Sequence, residues 1–172
     1  PPIRARPCET QPLRRAREAA APTPYYHQLA RRPSVVLPRP LAASSLHREL
    51  LEMRQRMREE MDKSNAEQID LKHCRGGNVD IEFMVQCGTL LWSGEHADIL
   101  GHTDTLGLLE VFARSGLMPA EDTRELAEAY CAIRRRINHL VLQEQPGLVD
   151  PDELAQERAA VAGIWDRFME QQ

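Results

Sequence analysis

One stretch constrains the fold of this chain more than any other: Leu71-Lys72-His73-Cys74-Arg75-Gly76-Gly77-Asn78-Val79-Asp80-Ile81-Glu82-Phe83. Its first residues end a short extended piece, two glycines follow, and an apolar series at helical spacing begins. Gly76 and Gly77 can take positive φ and, lacking Cβ, let another group come close to the backbone. Asn78 suits the N-cap of the helix that follows. Ile81, Met84, Val85, Leu90 and Leu91 then fall near one helical face. Asp80 and Glu82 put negative charge in the first turn, where the helix dipole favours it. A strand, two glycines and a helix N-terminus can present free N–H groups to an anion such as a phosphate. Lys72 and Arg75 add positive charge beside that spot. The plainer alternative is an ordinary loop whose first-turn acids only complement the dipole.

Around this turn the pattern is helical. Leu46, Leu50, Met53, Met57 and Met61 recur every three or four residues with charge between them, which predicts a long amphipathic helix capped by Ser44 or Ser45 and ending near Ser64. Its methionines are read as adaptable core fill. Gln68–His73 is a short extended piece. A second helix runs from about Val79 to Trp92, with a helical turn possible in Glu95–Gly101. Thr103 or Asp104 caps a third, running to about Ala113 and stopped by Gly116. Pro119 starts a fourth, reaching about Gln143, with Glu121 and Asp122 in its first turn. Its buried stripe is Leu126, Ala129, Tyr130, Ile133, Ile137, Leu140 and Val141. Arg134-Arg135-Arg136 forms a solvated face from which at least one arginine can pair with an acid on a neighbouring helix. His139 is a polar core or interhelical contact. Gln145-Pro146-Gly147 breaks the chain, and Asp150 or Pro151 opens a fifth helix reaching about Glu170. The expected fold is mainly α: an antiparallel bundle of about five helices with one short extended segment.

Composition excludes several classes. Four scattered cysteines with no C-x-x-C pair argue against a zinc site or a disulfide framework, and His96 and His102 have no third ligand at a recognisable spacing. No apolar run approaches the roughly 18 residues that a membrane span needs. With no secretory pattern at the N-terminus, a cytoplasmic location is expected. Residues 1–44 hold nine of the twelve prolines, eight arginines and two acids, so +6 against −10 for the rest. Disorder is expected there, with a short helix around Leu13–Ala21. Nucleic-acid binding is the weaker reading, because the helical body offers no basic stripe.

Lys72, Gly76-Gly77 and Asp80-Ile81-Glu82-Phe83, followed by Val85-Gln86, resemble the K-x-x-x-G-G-x-x-[DE]-I-E-F-x-x-Q signature of glutamine synthetase adenylyltransferase/adenylyl-removing enzymes. Thr103-Asp104-Thr105-Leu106 through Gly116-Leu117-Met118 resembles the family's next helix and turn. Tyr130 through Arg134, with His139-Leu140-Val141-Leu142-Gln143-Glu144, resembles its "Y…LR…HHLxLQE" helix. The resemblance covers roughly residues 46–172 and implies a C-terminal fragment of the adenylylating half. It divides the chain into 1–44, which matches nothing in the family; 45–78, the end of a nucleotidyltransferase domain; and 79–172, a C-terminal helical bundle. It implies transfer of AMP from ATP to a tyrosine of glutamine synthetase, and its removal, regulating nitrogen assimilation. Lys72, Gly76, Gly77, Asp80 and Glu82 would form the rim of the nucleotide cleft, with Asp80 and Glu82 positioning the turn or a basic partner.

The family's metal-binding Gly-Ser…Asp-x-Asp motif is not found. No catalytic or metal-binding residue is therefore assigned, and this chain alone is expected to be inactive. Mg²⁺ and ATP belong to the parent enzyme. The implied partners are glutamine synthetase, a PII-type signalling protein and the parent's N-terminal domains. The alternative is a non-enzymatic helical docking module for glutamine synthetase or a regulatory signalling protein.

Overall fold

The computed structural model describes residues 43–170, with side chains from 46 to 169. The expected disorder of 1–44, and the helix near Leu13–Ala21, lie outside the described residues. Ala43 and Ser44 are the exception, being already helical, so Ser44 and Ser45 stand inside the first helix and not before it.

Five α-helices follow in order: α1 (Ala43–Met61), α2 (Asn78–Trp92), α3 (Thr105–Arg114), α4 (Ala120–Leu142) and α5 (Ala155–Trp165). A 3-10 turn at Ala97–Gly101 precedes α3, and a π-turn at Asp166–Glu170 continues α5. The extended segment β1 (Ile69–Asp70) pairs antiparallel with β2 (Leu148–Val149), Ile69 opposite Val149 and Asp70 opposite Leu148. Only the first of these two strands was expected. Two residues carry too short a pattern to announce a strand, and β2 forms because Pro146 and Gly147 end the helical run beside an open edge. Leu71 N–H extends the pairing to the Gly147 carbonyl at 3.3 Å.

Helix α2 is the central element and packs against all four other helices. That position explains its composition: nine of its fifteen residues are buried, on every side of the helix, as an enclosed helix requires. Ile81, Met84 and Val85 meet Leu109, Val111 and Phe112 of α3, Leu126 and Ile133 of α4, and Val161 and Ile164 of α5 in one core. Trp92 stands edge-on to Phe112 at 4.9 Å and to Phe168 at 5.8 Å. Such pairs add about 0.5–1.5 kcal/mol beyond their burial.

Helix ends follow local chemistry. Asp104 caps α3, its Oδ1 accepting from Gly107 N–H at 2.9 Å. Gly116, at φ 66°, takes the left-handed conformation just past the end of α3. Pro119 caps α4, with Glu121 and Asp122 in the first turn.

Four expectations need correction. Met53 and Met61 are 45% and 42% exposed, so the buried stripe of α1 is not the methionine series. Steps of four from Leu46 lead through Leu50 to Arg54, which is buried because a carboxylate meets it. Leu90 fits the apolar face of α2 by spacing and Val141 the buried stripe of α4, but both are exposed. Asn78 is the first residue of α2, not its cap: Gly77 occupies that position. Finally, α5 begins at Ala155, because Leu154 adopts a left-handed φ of 55°. The turn before it is braced by Arg136 on Glu153 and by Arg158 on the Pro151 carbonyl.

Candidate functional site

The Gly-Gly turn is built from the backbone of Asp70 to Asp80. Asp70 Oδ1 accepts from Lys72 N–H at 2.9 Å and His73 N–H at 3.2 Å, folding the chain back after β1. The carbonyls of this fold then receive the start of α2. Gly77 N–H donates to Cys74 at 3.0 Å, Asn78 N–H to Leu71 at 3.0 Å and Val79 N–H to Lys72 at 3.1 Å. Gly76 N–H donates to Asp80 Oδ2 at 2.7 Å, and Asp80 N–H to the Gly77 carbonyl at 3.2 Å. The helix start therefore does not offer free N–H groups to an anion, contrary to the expectation from the two glycines. Its first donors are satisfied within the chain.

The glycines serve close approach instead. A Cβ on Gly76 would lie 2.0 Å from the Arg158 carbonyl oxygen, and its φ of 74° is left-handed as well. Gly77 has φ −81°, so its need is space alone: a Cβ there would stand 2.8 Å from the Leu71 oxygen and 2.9 Å from the Cys74 oxygen. The turn is thus wedged between its own carbonyls and the backbone of α5.

Asp80 is the anchor. It is 0% exposed and receives Arg54 Nε at 2.7 Å and Arg58 Nη2 at 3.2 Å and 3.3 Å, besides Gly76 N–H. Arg54, 1% exposed, also donates to the carbonyls of His73 at 2.8 Å and Cys74 at 3.4 Å. One guanidinium therefore ties α1 to the turn and to the first turn of α2. Removing one partner of such a buried pair costs about 3–5 kcal/mol, because the other is left charged and unpaired. Arg54 and Arg58 were not singled out in the sequence. The signal was there: two arginines four apart, continuing an apolar stripe.

Glu82 is half-buried, accepts from Asn78 Nδ2 at 2.8 Å and pairs with Arg134 of α4 at 3.8 Å. This is the interhelical arginine anticipated from the Arg134-Arg135-Arg136 run. Lys72 and Arg75 are exposed on the turn. Arg75 reaches Asp166 at 2.5 Å, while Lys72 has no ion pair among the described residues. Burial lowers the His73 pKa, with Lys72 and Arg54 adding to the effect and Asp70 opposing it. Burial also pushes the Cys74 thiol up to about 12, and Cys87 likewise.

This donor set does not fit a divalent metal. Both oxygens of Asp80 are occupied by guanidinium and backbone donors, and Glu82 lies on another face of the helix. Among the described residues no group of three or more His, Cys, Asp or Glu side chains is placed to hold a metal ion. Asp150 and Asp152 are exposed, and Asp152 N–H donates to Asp150 Oδ1 at 3.0 Å in a local turn. His139 is exposed near Arg136 and Gln143, not in the core. No described helix is long and apolar enough to cross a membrane.

Residues 44–161 match the family described as GlnD PII-uridylyltransferase. Curated relatives carry the name bifunctional glutamine synthetase adenylyltransferase/adenylyl-removing enzyme. The one from Pseudomonas aeruginosa is 43% identical over 142 residues, covering 76% of this chain and 14% of the relative. That from Nitrosococcus oceani is 41% identical over 125 residues, covering 73% and 13%. That from Pseudomonas syringae pv. tomato is 37% identical over 169 residues, covering 91% and 17%. The chain thus spans a small part of these relatives' length. With more than two thirds of its residues matched, and with the signature turn built as described, the chain belongs to the GlnD PII-uridylyltransferase family and is similar to one stretch of the much longer glutamine synthetase adenylyltransferase/adenylyl-removing enzymes.

Proposed function

We propose that this chain supplies the nucleotide-cleft rim and the helical bundle of an enzyme that transfers AMP from ATP to a tyrosine of glutamine synthetase and removes it again. The observation that carries the reading is the Lys72–Glu82 turn, which displays Lys72 and Arg75 on a backbone locked by Asp80, Arg54 and Arg58. With the N–H groups satisfied, phosphate contact falls to the side chains. Lys72 serves as a point charge toward phosphate. Gly76 and Gly77 let the turn sit against α5, and Asp80 and Glu82 hold it in register. Residues 45–78 then close a nucleotidyltransferase domain, and 79–172 form the bundle behind it.

Nucleotidyl transfer draws on metal-bridging carboxylates around the triphosphate. In this reading they come from another part of a longer, cytoplasmic enzyme, so this chain binds ATP weakly and transfers nothing alone. A PII-type protein is the regulatory partner that the reading brings with it. The test has two arms. Titration of ATP into ¹⁵N-labelled chain is expected to move the amides of Lys72 to Gly77, and Lys72→Ala to abolish that movement. Incubation with ATP, Mg²⁺ and glutamine synthetase is expected to leave the synthetase unlabelled. Shifts clustered elsewhere overturn the rim assignment, and labelled synthetase overturns the assignment of the carboxylates to another part of the enzyme.

The docking-module reading is favoured by one separate feature, the exposed apolar end of α4, where Val141 and Leu142 are 65% and 83% exposed.

A further inference from the structure

Lysine is scarce in this chain: of its 22 lysine and arginine residues, only Lys63 and Lys72 are lysines. Every ion pair among the described residues uses an arginine. A lysine differs in kind. It is a compact charge on a flexible four-carbon stem, without the rigid plane of a guanidinium. Where such a charge can reach is therefore set by the backbone at its root.

The root of Lys72 is tied on both sides. Its N–H donates to Asp70 Oδ1 at 2.9 Å, and its carbonyl accepts from Val79 N–H at 3.1 Å. The side chain beyond is exposed. A free side chain on a doubly held backbone leaves less to be ordered when a ligand arrives.

Asp70 is itself held, and is only 6% exposed. Its N–H donates to Ser64 Oγ at 2.9 Å, and that hydroxyl donates to Asp62 Oδ1 at 2.5 Å. Its carbonyl accepts from Cys74 N–H at 2.9 Å, and strand pairing sets it opposite Leu148. From this seat Oδ1 also accepts from His73 N–H at 3.2 Å, closing an Asx turn over Lys72. Other bonds carry the neighbouring structure: Leu71 N–H goes to Gly147 and Gly77 N–H to Cys74. What the Asp70 carboxylate fixes is the stretch that bears the lysine.

We propose that Asp70 is a positioning residue for Lys72, setting the place from which the ammonium meets a nucleotide phosphate. The inference rests on the reading of Lys72 as the phosphate contact. It gives the turn a second aspartate whose role is distinct from that of Asp80, which locks the glycine end. The role is geometric: one oxygen accepts two successive amides at the reach of an aspartate side chain. An asparagine oxygen can take the same place without charge. A glutamate keeps the charge but carries one methylene too many to close the turn.

The test uses the full chain with its lysines reductively ¹³C-dimethylated, a change that keeps their charge. The Lys72 signal is the one lost in Lys72→Arg. ATP titration should move that signal and give an apparent dissociation constant. Asp70→Asn should bind ATP within twofold of the native chain, and Asp70→Glu at least fivefold more weakly. Asp70→Ser, whose hydroxyl closes such a turn less firmly, should be at least twofold weaker, and it carries the comparison if circular dichroism shows Asp70→Glu unfolded. In the native chain the Lys72 and His73 amides should exchange with solvent at least tenfold more slowly than in an open chain. A native Lys72 signal that ATP leaves unmoved overturns the rim reading and this inference with it. Native-like binding in Asp70→Glu or Asp70→Ser, loss of binding in Asp70→Asn, or open-chain exchange at Lys72 overturns the positioning role alone.

Discussion

Replacing Asp80 by asparagine isolates the anchor of the signature turn. The side chain keeps its size and one carbonyl oxygen, but loses its charge and gains an amide donor. Four donor contacts converge on the native carboxylate: Arg54 Nε at 2.7 Å, Arg58 Nη2 at 3.2 and 3.3 Å, and Gly76 N–H at 2.7 Å. An asparagine oxygen can keep Arg54, leaving its NH₂ to confront either Arg58 or Gly76. Arg58 is 20% exposed and can turn toward water, so it adds little. Arg54, at 1% exposure, cannot, and leaving its charge buried without a counter-charge sets the magnitude at about 3–5 kcal/mol. That is a large share of the roughly 5–15 kcal/mol that holds a domain folded. At a urea m-value of about 2 kcal/mol/M, the midpoint should fall by about 2 M. The assay is urea unfolding at pH 7 followed at 222 nm, for Asp80→Asn, Arg54→Met and the double variant. The double variant should lose about 2 kcal/mol less than the sum of the single losses, as contacting residues do. A loss below about 1 kcal/mol for Asp80→Asn, or additive losses, would refute the anchor.

Other perturbations test the residues around this anchor. Gly76→Ala combines a left-handed φ with a Cβ only 2.0 Å from the Arg158 oxygen. It should destabilise by more than about 2 kcal/mol in the same urea assay, where a loss within 0.5 kcal/mol would show that the turn yields freely. The His73 pKa is lowered in the folded protein, so the unfolded chain binds the extra proton first. Stability should therefore fall as pH drops below 6.5, and His73→Gln should flatten that slope; an unchanged slope would remove His73 as its source. Cys74 and Cys87 are raised to about 12, so the folded chain retains protons that the unfolded chain sheds near 9. Stability should fall between about pH 9 and 12, and neither thiol should react with iodoacetamide at pH 8 until the chain unfolds, as peptide mapping would show.

Much of this architecture could be read from the residues. The five helices, the cap at Asp104, the start at Pro119 and the stop at Gly116 follow from periodicity and from residues with strong local preferences. Local chemistry decides such features, so sequence reports them. The errors arose where a distant contact decides. Arg54 reads as a polar interruption of α1, and only Asp80, twenty-six residues on, makes it a core residue. Val141 fits the apolar stripe of α4 by spacing, yet the helix outruns the core at that end and the side chain is left in solvent. β2 exists only because β1 lies beside it. At the signature turn, the glycines correctly marked a close approach, but the approaching groups were the chain's own carbonyls and the backbone of Arg158. Asp80 and Glu82 both lie against arginines of neighbouring helices.

Asp80 holds the signature turn in place, with both of its oxygens occupied by guanidinium and backbone donors and not by a metal ion. Manganese titration into the nucleotide-free ¹⁵N-labelled chain tests that role, because paramagnetic broadening reports any amide near the ion. Gly76 to Met84 are expected to keep their signals at manganese concentrations stoichiometric with the protein. Selective loss of the Asp80 and Gly76 resonances, reversed by excess magnesium, would contradict it.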